Sequence, residues 1–545
     1  MIRVNELALP LDHPPEAMRP AIVDRLKLTD ADLLSFSVFK RSYDARKKNS
    51  EIKFVYIVDL EVRDEASVLE RFTDDQHVRP APDTAYYPVA RAPNSITERP
   101  VVIGFGPCGL FAALILAQMG FKPIVLERGK DVRRRTKDTW ALWRKHELSP
   151  ESNVQFGEGG AGLFSDGKLY SQIKDPKFYG RKVMHEFVRA GAPEEILFVS
   201  KPHIGTFRLT GVVAKMREEI IALGGEIRFE SKVTEVTLDN GRTTGVTLEN
   251  GEHIASRYVI MALGHSARDT FRMLHKQGVY VEAKPFAIGF RIEHPQSLID
   301  TARLGKYAGH PELGAADYKL VHHAKNGRAV YSFCMCPGGT VVAATSEPGR
   351  VVTNGMSQYS RNERNANSGI VVGISPEQDF PGGPLAGVEL QEQLESTAYE
   401  LGGKDYCAPA QLVGDFIRST PSNTLGEVEP SYQPGIKLGD LAPSLPAYAI
   451  DAIREALPAF GKQIRGFDRD DAILTGIETR TSSPIRIKRD NATLQSINTR
   501  GLYPAGEGAG YAGGILSAGV DGIKVAEALA LAMLADAGAE TGVPA

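Results

Sequence analysis

The chain has 545 residues, 42% of them hydrophobic and 24% charged, which is the balance of a globular protein of roughly three domains. Its formal net charge of −3 and its four cysteines exclude a strongly basic nucleic-acid binder and a disulfide-built scaffold. We see no signal-peptide pattern, and the longest apolar run is too short and Ala-rich for a membrane span. We therefore expect a cytoplasmic protein without membrane segments.

Residues 1–95 are predicted to form a small α+β module. The segments 2–9, 36–43 and 53–62 have the pattern of strands, a helix is expected over residues 15–27, and the order fits a ferredoxin-like sandwich. The turn between the last two strands carries a basic run of Lys40, Arg41, Arg46, Lys47 and Lys48. This run is either a solvated hairpin end or a contact for RNA or another partner, and the acidic residues of the module weaken the second interpretation.

The strongest motif is a G-x-G-x-x-G loop that follows a short apolar strand over residues 100–103. Gly104 permits the tight turn into a helix, Gly106 lets the backbone approach a pyrophosphate, and Gly109 allows close packing of helix on strand. The next strand ends in Glu127, which is placed to accept hydrogen bonds from adenosine ribose hydroxyls. The helix between them is predicted to bury one face, because apolar residues recur with helical spacing at Leu110, Ala113, Leu114 and Ala117.

A second glycine-rich element lies near the C-terminus. A strand over residues 501–505 leads into it and a long Ala-rich helix follows, and its glycines are Gly506, Gly508, Gly510, Gly513 and Gly514. Three of these glycines repeat the G-x-G-x-x-G spacing, but no second strand or ribose carboxylate follows, so a second nucleotide fold is not predicted. We expect this helix N-terminus to return to the first sheet, with its N–H groups against the ribityl chain or the O2 side of a flavin ring.

The chain as a whole is predicted to be an α/β protein with a discontinuous Rossmann-type FAD-binding domain. Residues 96–285 and 470–545 would form that domain, and a buried parallel strand is expected in it over residues 257–263. Residues 286–469 contain many short strands, Gly and Pro, and would form an inserted β-rich cap domain. The N-terminal ferredoxin-like module precedes both.

Several longer motifs give the chain a specific resemblance to a known family. They span residues 44–48, 153–169, 264–269, 333–339, 478–484 and 506–522. With them the chain resembles the FAD-dependent oxidoreductases of the glutathione-reductase and fumarate-reductase type, and more closely a family of uncharacterised FAD-dependent dehydrogenases. The resemblance covers nearly the whole chain. It implies a bound FAD and leaves the substrate undefined.

The resemblance also implies particular contacts with FAD. Gly159 and Gly160, with Gly162 nearby, would line the flavin through backbone N–H groups, Val233 would contact the adenine, and Lys168 would lie near the flavin. No metal ligand is expected. Together with the two glycine-rich elements, the predicted cofactor set is Gly104, Gly106, Pro107, Cys108, Gly109, Glu127, Arg128, Gly159, Gly160, Gly162, Lys168, Val233, Gly264, Gly506, Glu507, Gly513, Gly514 and Ile515.

The candidates for chemistry are less specific. Cys334 and Cys336 form C-x-C, which puts both sulfurs on one face of a strand and suits a dithiol or a thiolate near the flavin; small core cysteines are the alternative. His265 and Arg268 follow a strand end, where α/β ligands bind, and the histidine is either an acid or base near neutral pH or a structural residue. Arg480 and Arg486 would bind a carboxylate substrate or form ion pairs at a domain seam.

We therefore expect an FAD-dependent oxidoreductase that transfers hydride through flavin N5 to or from a small organic substrate. The substrate would bind between the flavin and the cap, and NAD(P)H can use the same cleft transiently as an electron donor. Two alternatives stay open. One is an RNA-modifying flavoprotein that docks RNA with its N-terminal module, and the other is a non-catalytic FAD-binding redox sensor.

Overall fold

The computed structural model describes residues 1–44 and 51–543, so Arg46, Lys47 and Lys48 of the basic run lie outside the described residues. The N-terminal module contains β1 (Ile2–Pro10), α1 (Met18–Leu26), β2 (Leu33–Asp44), β3 (Lys53–Val62), α2 (Glu65–Arg71) and β4 (Val78–Pro80). Its antiparallel sheet has the order β2-β3-β1-β4, which is the connectivity of a ferredoxin-like sandwich. Alternate side chains of β3 are buried, as the strand pattern predicts.

The module docks on the rest of the chain through Arg41, one of the predicted basic residues. Its backbone N–H donates to Phe198 O at 2.6 Å, and its carbonyl accepts from Ser200 N at 2.8 Å. Its guanidinium forms an ion pair with Glu312 at 3.2 Å. Arg41 is therefore occupied by contacts within the chain.

The central domain begins after a linker that ends near residue 100. Its elements up to residue 283 are β5 (Val101–Ile103), α3 (Pro107–Gln118), β6 (Ile124–Leu126), α4 (Val132–Lys145), α5 (Tyr179–Arg189), α6 (Thr206–Ala222), β7 (Glu226–Arg228), β8 (Val233–Asp239), β9 (Arg242–Leu248), β10 (His253–Ala255), β11 (Val259–Met261), α7 (Arg268–Lys276) and β12 (Val281–Ala283). Strands β8, β9 and β10 form a small antiparallel meander. Strand β11 is fully buried and parallel to β5, which confirms the expected parallel strand.

The cap is built on an eight-stranded sheet. Its elements are β13 (Phe286–Pro295), α8 (Gln296–Leu304), β14 (Val321–His323), β15 (Ala329–Ala343), β16 (Thr353–Ser357), β17 (Asn365–Ile374), α9 (Ala386–Gly402), β18 (Ala408–Leu412), α10 (Val413–Arg418), β19 (Ile436–Leu438), α11 (Ala447–Gln463) and β20 (Ile473–Glu478). The strand order is β14-β15-β17-β13-β20-β18-β19, with β16 paired to β15. Short 3-10 helices elsewhere in the chain are Pro15–Ala17, Ala161–Phe164, Glu194–Leu197, Gly305–Tyr307 and Ala442–Ser444.

Two sequence expectations for the cap are wrong. Its central strands are long rather than short, because the Pro337-Gly338-Gly339 run lies inside β15 and bends it without ending it. Strand β20 pairs with β13 and β18, so it belongs to the cap sheet and the crossing back to the central domain follows Glu478 instead of lying at residue 470. An apolar sequence predicts that a strand is buried, but the sheet to which the strand belongs is determined by partners that are distant in the sequence.

The chain returns to the central domain through β21 (Ile485–Ile487), β22 (Leu502–Pro504) and α12 (Ile515–Asp536). Strand β21 pairs with β12, so the two crossings between cap and central domain lie side by side. Strand β22 joins the edge of the parallel sheet, whose order is β22-β11-β5-β6-β7. The second glycine-rich element thus returns to the first sheet, as predicted. Among the described residues, no helix has both the length and the apolar character of a membrane span.

Helix α3 is buried on every side, so the prediction of a single buried face is wrong. The C-terminal helix α12 packs on the side that the periodicity leaves to solvent. The two backbones come so close that a Cβ added at Gly522 would lie 2.2 Å from Cys108 O. The periodicity of the α3 sequence cannot predict this contact, because α12 lies about 400 residues further along the chain.

Candidate active site

The two glycine-rich elements and the cap surround a cavity of about 430 Å³. It lies where β5, β6 and β11 end, the position at which parallel α/β sheets bind their ligands. Most of the predicted cofactor set lines it, namely Gly104, Gly106, Pro107, Cys108, Glu127, Arg128, Gly160, Gly162, Lys168, Val233, Gly264, Glu507, Gly513, Gly514 and Ile515. His265, Cys334 and Arg480 line it as well, so elements far apart in the sequence meet at one place.

The three other predicted cofactor residues do not line the cavity but stabilise the loops that do. Gly109 packs the start of α3 on the strand, because an added Cβ would lie 1.9 Å from Gly104 O. The backbone N–H of Gly159 donates to Phe105 O at 2.8 Å. The backbone N–H of Gly506 donates to Asp521 Oδ2 at 2.8 Å. These three glycines hold the loops in place instead of facing the cavity.

Gly106 stands apart from the other glycines of the first motif. A Cβ at Gly104 would lie 2.3 Å from Ala262 O, so the packing of the protein itself requires glycine there. Gly106 has φ −76°, and an added Cβ would meet nothing closer than Gly160 Cα at 3.5 Å. The fold tolerates a side chain at Gly106, and the open space beside it lies at the N-terminus of α3, where a helix attracts phosphate.

Glu127 joins three loops at the edge of the cavity and is only 4% exposed. Its Oε2 accepts from Phe105 N at 2.8 Å, and its Oε1 accepts from Gly129 N at 2.8 Å and Gly157 N at 2.9 Å. A carboxylate offers about four lone-pair directions. One acceptor site therefore remains for a ribose hydroxyl, and the anchoring of the loops is a second role that the sequence does not show.

The glycines of three separate loops pack backbone to backbone around the cavity. A Cβ at Gly160 would lie 2.7 Å from Gly106 Cα, and a Cβ at Gly162 would lie 2.9 Å from Ile515 Cγ1. Helix α12 begins after Gly514, at φ +101°, without a side-chain cap. The loops leave a cradle that added Cβ atoms would fill, with two helix starts facing it and a carboxylate at one end. These features fit FAD, whose diphosphate and ribose would be held by the N-terminus of α3 and by Glu127.

Cys334 faces the cavity from the cap, and Cys336 lies behind it. A bulge interrupts the pairing of β15 with β17 between Phe333 and Cys336, and Cys334 adopts φ +45°. Cys336 is fully buried, and its sulfur lies 3.4 Å from Cys334 O. The bulge turns one sulfur of the C-x-C pair to the cavity and keeps the other inside the protein.

Cationic groups surround Cys334. The ammonium of Lys168 donates to Met335 O, and Arg291 Nη1 donates to Cys334 O at 2.9 Å. The hydrogen bond from the Cys336 thiol lowers the pKa of Cys334 well below that of an ordinary thiol, and the charges of Lys168 and Arg291 lower it further. The same pairing, together with burial, raises the pKa of Cys336. Cys334 is therefore the thiolate of the pair.

Of the two alternatives for His265, its surroundings favour the structural residue over an acid or base that titrates near neutral pH. Burial lowers its pKa to about 3, and the nearby charges of Arg480 and Arg268 add to the shift. Its Nε2 has no hydrogen-bond partner among the described residues. The ring is therefore neutral at physiological pH and can offer hydrogen bonds to a ligand without titrating.

Arg268 and Arg480 form an ion-pair cluster at the seam between cap and central domain. Both contact the buried Glu395 of α9, Arg268 at 2.7 Å and Arg480 at 2.9 Å. Arg480 Nη1 also donates to Ser266 Oγ at 3.0 Å and to Ser346 Oγ at 2.7 Å. All three guanidinium nitrogens of Arg480 are thus occupied, so the seam interpretation holds, whereas direct catalysis by Arg268 and carboxylate binding by Arg480 are not supported.

Two cavity carboxyls have unusual acidity. Burial raises the pKa of Glu478 and of Glu507 to about 7 in each case. Glu478 Oε2 lies 3.0 Å from Arg291 Nε, and Glu507 Oε1 accepts from Ser483 N at 3.1 Å. Sequence reasoning missed Glu478 as a site residue, although it begins the 478–484 motif.

Asp166 and Asn354 also line the cavity and were missed. Asp166 belongs to the 153–169 motif, which offered a signal for it, and it forms an ion pair with Arg361. Asn354 belongs to no motif, so nothing in the sequence singles it out. Away from the cavity, His146, Asp405 and Cys407 are the one group of described residues close enough together to hold a metal ion, and the C-x-C pair is not part of it.

Comparisons with known families agree with this site. Residues 285–481 match a family described as an FAD-dependent protein, C-terminal domain-like, and residues 145–283 match flavin-containing amine oxidoreductases. Residues 1–61 match a domain of unknown function. The cap and the central domain thus each match a flavin-related family.

Solved structures are similar only at a low level. L-proline dehydrogenase from P. horikoshii shares 14% identity with a TM-score of 0.33, over 82% of this chain and 95% of that one. Glycine oxidase from Bacillus cereus shares 11% identity with a TM-score of 0.31, over 82% of this chain and 96% of that one. Scores this low support no statement about this chain.

A full-length relative gives the decisive comparison. An uncharacterized protein of Clostridium beijerinckii is 50% identical over 532 residues, which cover 96% of this chain and 98% of the relative. The resemblance predicted from the motifs is confirmed, as are FAD as the cofactor and oxidoreductase as the enzyme class. The chain belongs with the C. beijerinckii protein to one family of FAD-dependent oxidoreductases.

Proposed function

We propose that this enzyme transfers hydride between FAD in the described cavity and a small organic substrate that enters from the cap side. The observation that supports it is the meeting of both glycine-rich elements with Lys168 of the central domain and with Cys334 and Glu478 of the cap sheet in one cavity. FAD, when bound, supplies a two-electron carrier whose N5 gives or takes the hydride. The residues of the chain bind it, exclude water and move the protons.

Most charged groups on the cap side are already paired with one another, which leaves one cation for a substrate. The guanidinium of Arg480 is already paired with Glu395, and Arg291 is fully buried against Glu478. Lys168 is the cation that lines this part of the cavity without a close ion pair, since Asp166 Oδ2 lies 3.8 Å from its ammonium. A substrate therefore meets one cation and two carboxyls, Glu478 and Glu507, whose pKa burial raises to about 7.

Anaerobic stopped-flow tests the proposal. Purified holoenzyme is mixed with NADH, NADPH and a panel of amines, amino acids and hydroxy acids, and the flavin absorbance is followed. The proposal expects at least one compound to bleach the flavin at a saturable rate, and that compound identifies the donor class. Failure of every donor to reduce the flavin, together with failure of every acceptor to reoxidise photoreduced enzyme, would contradict it.

A further inference from the structure

Cys334 and Cys336 differ from the two other cysteines of the chain in surroundings and exposure. Cys334 is partly exposed to the cavity, and the buried thiol of Cys336 donates to its carbonyl oxygen at 3.4 Å. Cys108 packs in the glycine loop, and Cys407 lies outside the cavity beside Asp405.

 Cys108 is buried in the first turn of α3, so its environment is that of an ordinary core cysteine. The C-x-C pair alone combines an accessible sulfur with a buried partner.

The backbone at Cys334 is held in a conformation that a side chain disfavours. Its φ of +45° lies in the left-handed region, which residues with a side chain rarely adopt. The bulge in β15 imposes this conformation, and Arg291 fixes it through its hydrogen bond to Cys334 O. A core cysteine needs no such arrangement. Its effect here is to direct one sulfur into the cavity while the other stays within reach behind it.

The charges that face Cys334 come from three separate elements of the fold. Lys168 and Asp166 lie together in the loop after Gly162, Arg291 lies on β13, and Glu478 ends β20. The two cations favour a thiolate at Cys334, and Glu478 can hold a proton. An accessible thiolate beside a buried thiol is the arrangement of an attacking and a resolving cysteine.

We propose that Cys334 and Cys336 are a redox-active dithiol that exchanges two electrons with FAD in the shared cavity. In the oxidising direction the S–H bond of Cys336 breaks, one S–S bond forms with the Cys334 thiolate, and two electrons and one proton pass to FAD, which would become the anionic reduced flavin. In the reverse direction reduced FAD supplies them and the disulfide opens. Cys334 is the sulfur that a small external thiol or disulfide can reach, and Cys336 resolves the mixed disulfide. The inference rests on the proposed position of FAD.

The test introduces electrons through the flavin and counts thiols. Holoenzyme is treated with diamide to close near dithiols, desalted, and illuminated with EDTA without oxygen so that bound FAD is photoreduced. Free thiols are then labelled with a maleimide and located by mass spectrometry, and the electrons taken up are measured. The variants are Cys334→Ser and Cys336→Ser, with Cys407→Ser as the control outside the cavity.

The wild type and Cys407→Ser are expected to take up four electrons per FAD and to release two thiols on the peptide that contains Cys334 and Cys336. Each cavity variant is expected to take up two electrons and to release none there, because the disulfide is a two-electron couple. The wild-type result decides the question even if a variant fails to fold.

Two results would overturn the inference in different ways. If FAD is reduced by two electrons while the C-x-C peptide stays oxidised, or if diamide never closes it, the dithiol is wrong and the proposed hydride transfer stands. If the purified chain binds no FAD, both proposals fall together.

Discussion

Glu127 Oε2 accepts a hydrogen bond from Phe105 N at 2.8 Å, so the carboxylate at the end of β6 is joined to the glycine loop that follows β5. The ribose ligand expected from the sequence is also a structural clamp, because Glu127 holds Gly129 and Gly157 through its other oxygen. A change at this residue is therefore expected to affect both folding and cofactor binding.

The first prediction concerns Glu127→Gln. The amide would turn a donor toward at least one of the three backbone N–H groups, and an unsatisfied buried donor costs about 1–3 kcal/mol. We expect a lower melting temperature of the flavin-free protein and weaker FAD binding, measured by thermal unfolding and by fluorescence titration. Glu249→Gln, an exposed carboxyl with 66% side-chain exposure, is the control. Unchanged stability and affinity in Glu127→Gln would contradict the clamp.

The second prediction concerns the seam. Glu395→Gln leaves Arg268 and Arg480 buried beside a neutral partner, and breaking such a cluster costs about 3–5 kcal/mol. Thermal unfolding is expected to show this loss, whereas Glu219→Gln, whose partner Arg189 is exposed, should change stability by about 0–1 kcal/mol. Equal effects of the two substitutions would show that the seam is not a buried cluster.

The same cluster predicts a dependence on acid. The two arginines hold the pKa of Glu395 well below its ordinary value, so its stabilisation is complete above the pKa of the unfolded state. It is lost as the pH falls below about 4.5 toward the folded pKa. Wild-type stability should decline in that range more steeply than the stability of Glu395→Gln, as unfolding in urea at several pH values would show. Parallel curves would disprove the assignment.

A third prediction has the opposite sign and concerns Glu507. Burial raises its pKa to about 7, so the folded protein favours the protonated acid. The stability that the folded protein gains from holding this proton is complete below the unfolded pKa of about 4.5. It is lost as the pH rises to the folded pKa of about 7, above which stability no longer changes through this group. Glu507→Gln mimics the protonated form. The free energy of unfolding of the flavin-free variant, taken relative to that of wild type, should therefore be about 2 kcal/mol higher at pH 8 than at pH 5. A pH-independent difference would contradict the raised pKa.

A fourth prediction compares two cysteines in one protein. The pKa of Cys334 is lowered, whereas burial and the hydrogen bond to Asp405 raise that of Cys407 to about 11. Alkylation by iodoacetamide, followed by peptide mass spectrometry, should be nearly constant from about pH 7 to 9 at Cys334 and should rise about tenfold per pH unit at Cys407. A steep rise at both sites would show that Cys334 is an ordinary thiol.

The local parts of the site could be predicted from the sequence. Gly104, Gly106 and Glu127 belong to one continuous strand–loop–helix–strand unit, whose spacing encodes its geometry. The C-terminal element could be placed at the same sheet because its glycines precede a helix and no second nucleotide fold follows. The site residues outside this unit depended on the family resemblance.

The remaining parts depend on contacts between distant segments. Glu395, which pairs both Arg268 and Arg480, lies 127 positions beyond the first of them and belongs to no motif. The bulge that turns Cys334 to the cavity results from pairing between β15 and β17, and a C-x-C spacing alone does not reveal it. The lowered pKa of His265 and the raised pKa of Glu507 result from burial by other parts of the chain, which local periodicity cannot show.

The most direct measurement of the central claim is the FAD affinity of Gly106→Ala. The protein itself has room for the added methyl group, with no atom closer than 3.5 Å, so any loss reflects a ligand in the space beside it. We expect FAD to bind about tenfold or more weakly, a change of about 1.4 kcal/mol, while the flavin-free melting temperature stays that of wild type. The control is Gly211→Ala, on an open helix position. Wild-type affinity in Gly106→Ala would contradict FAD binding in this cavity.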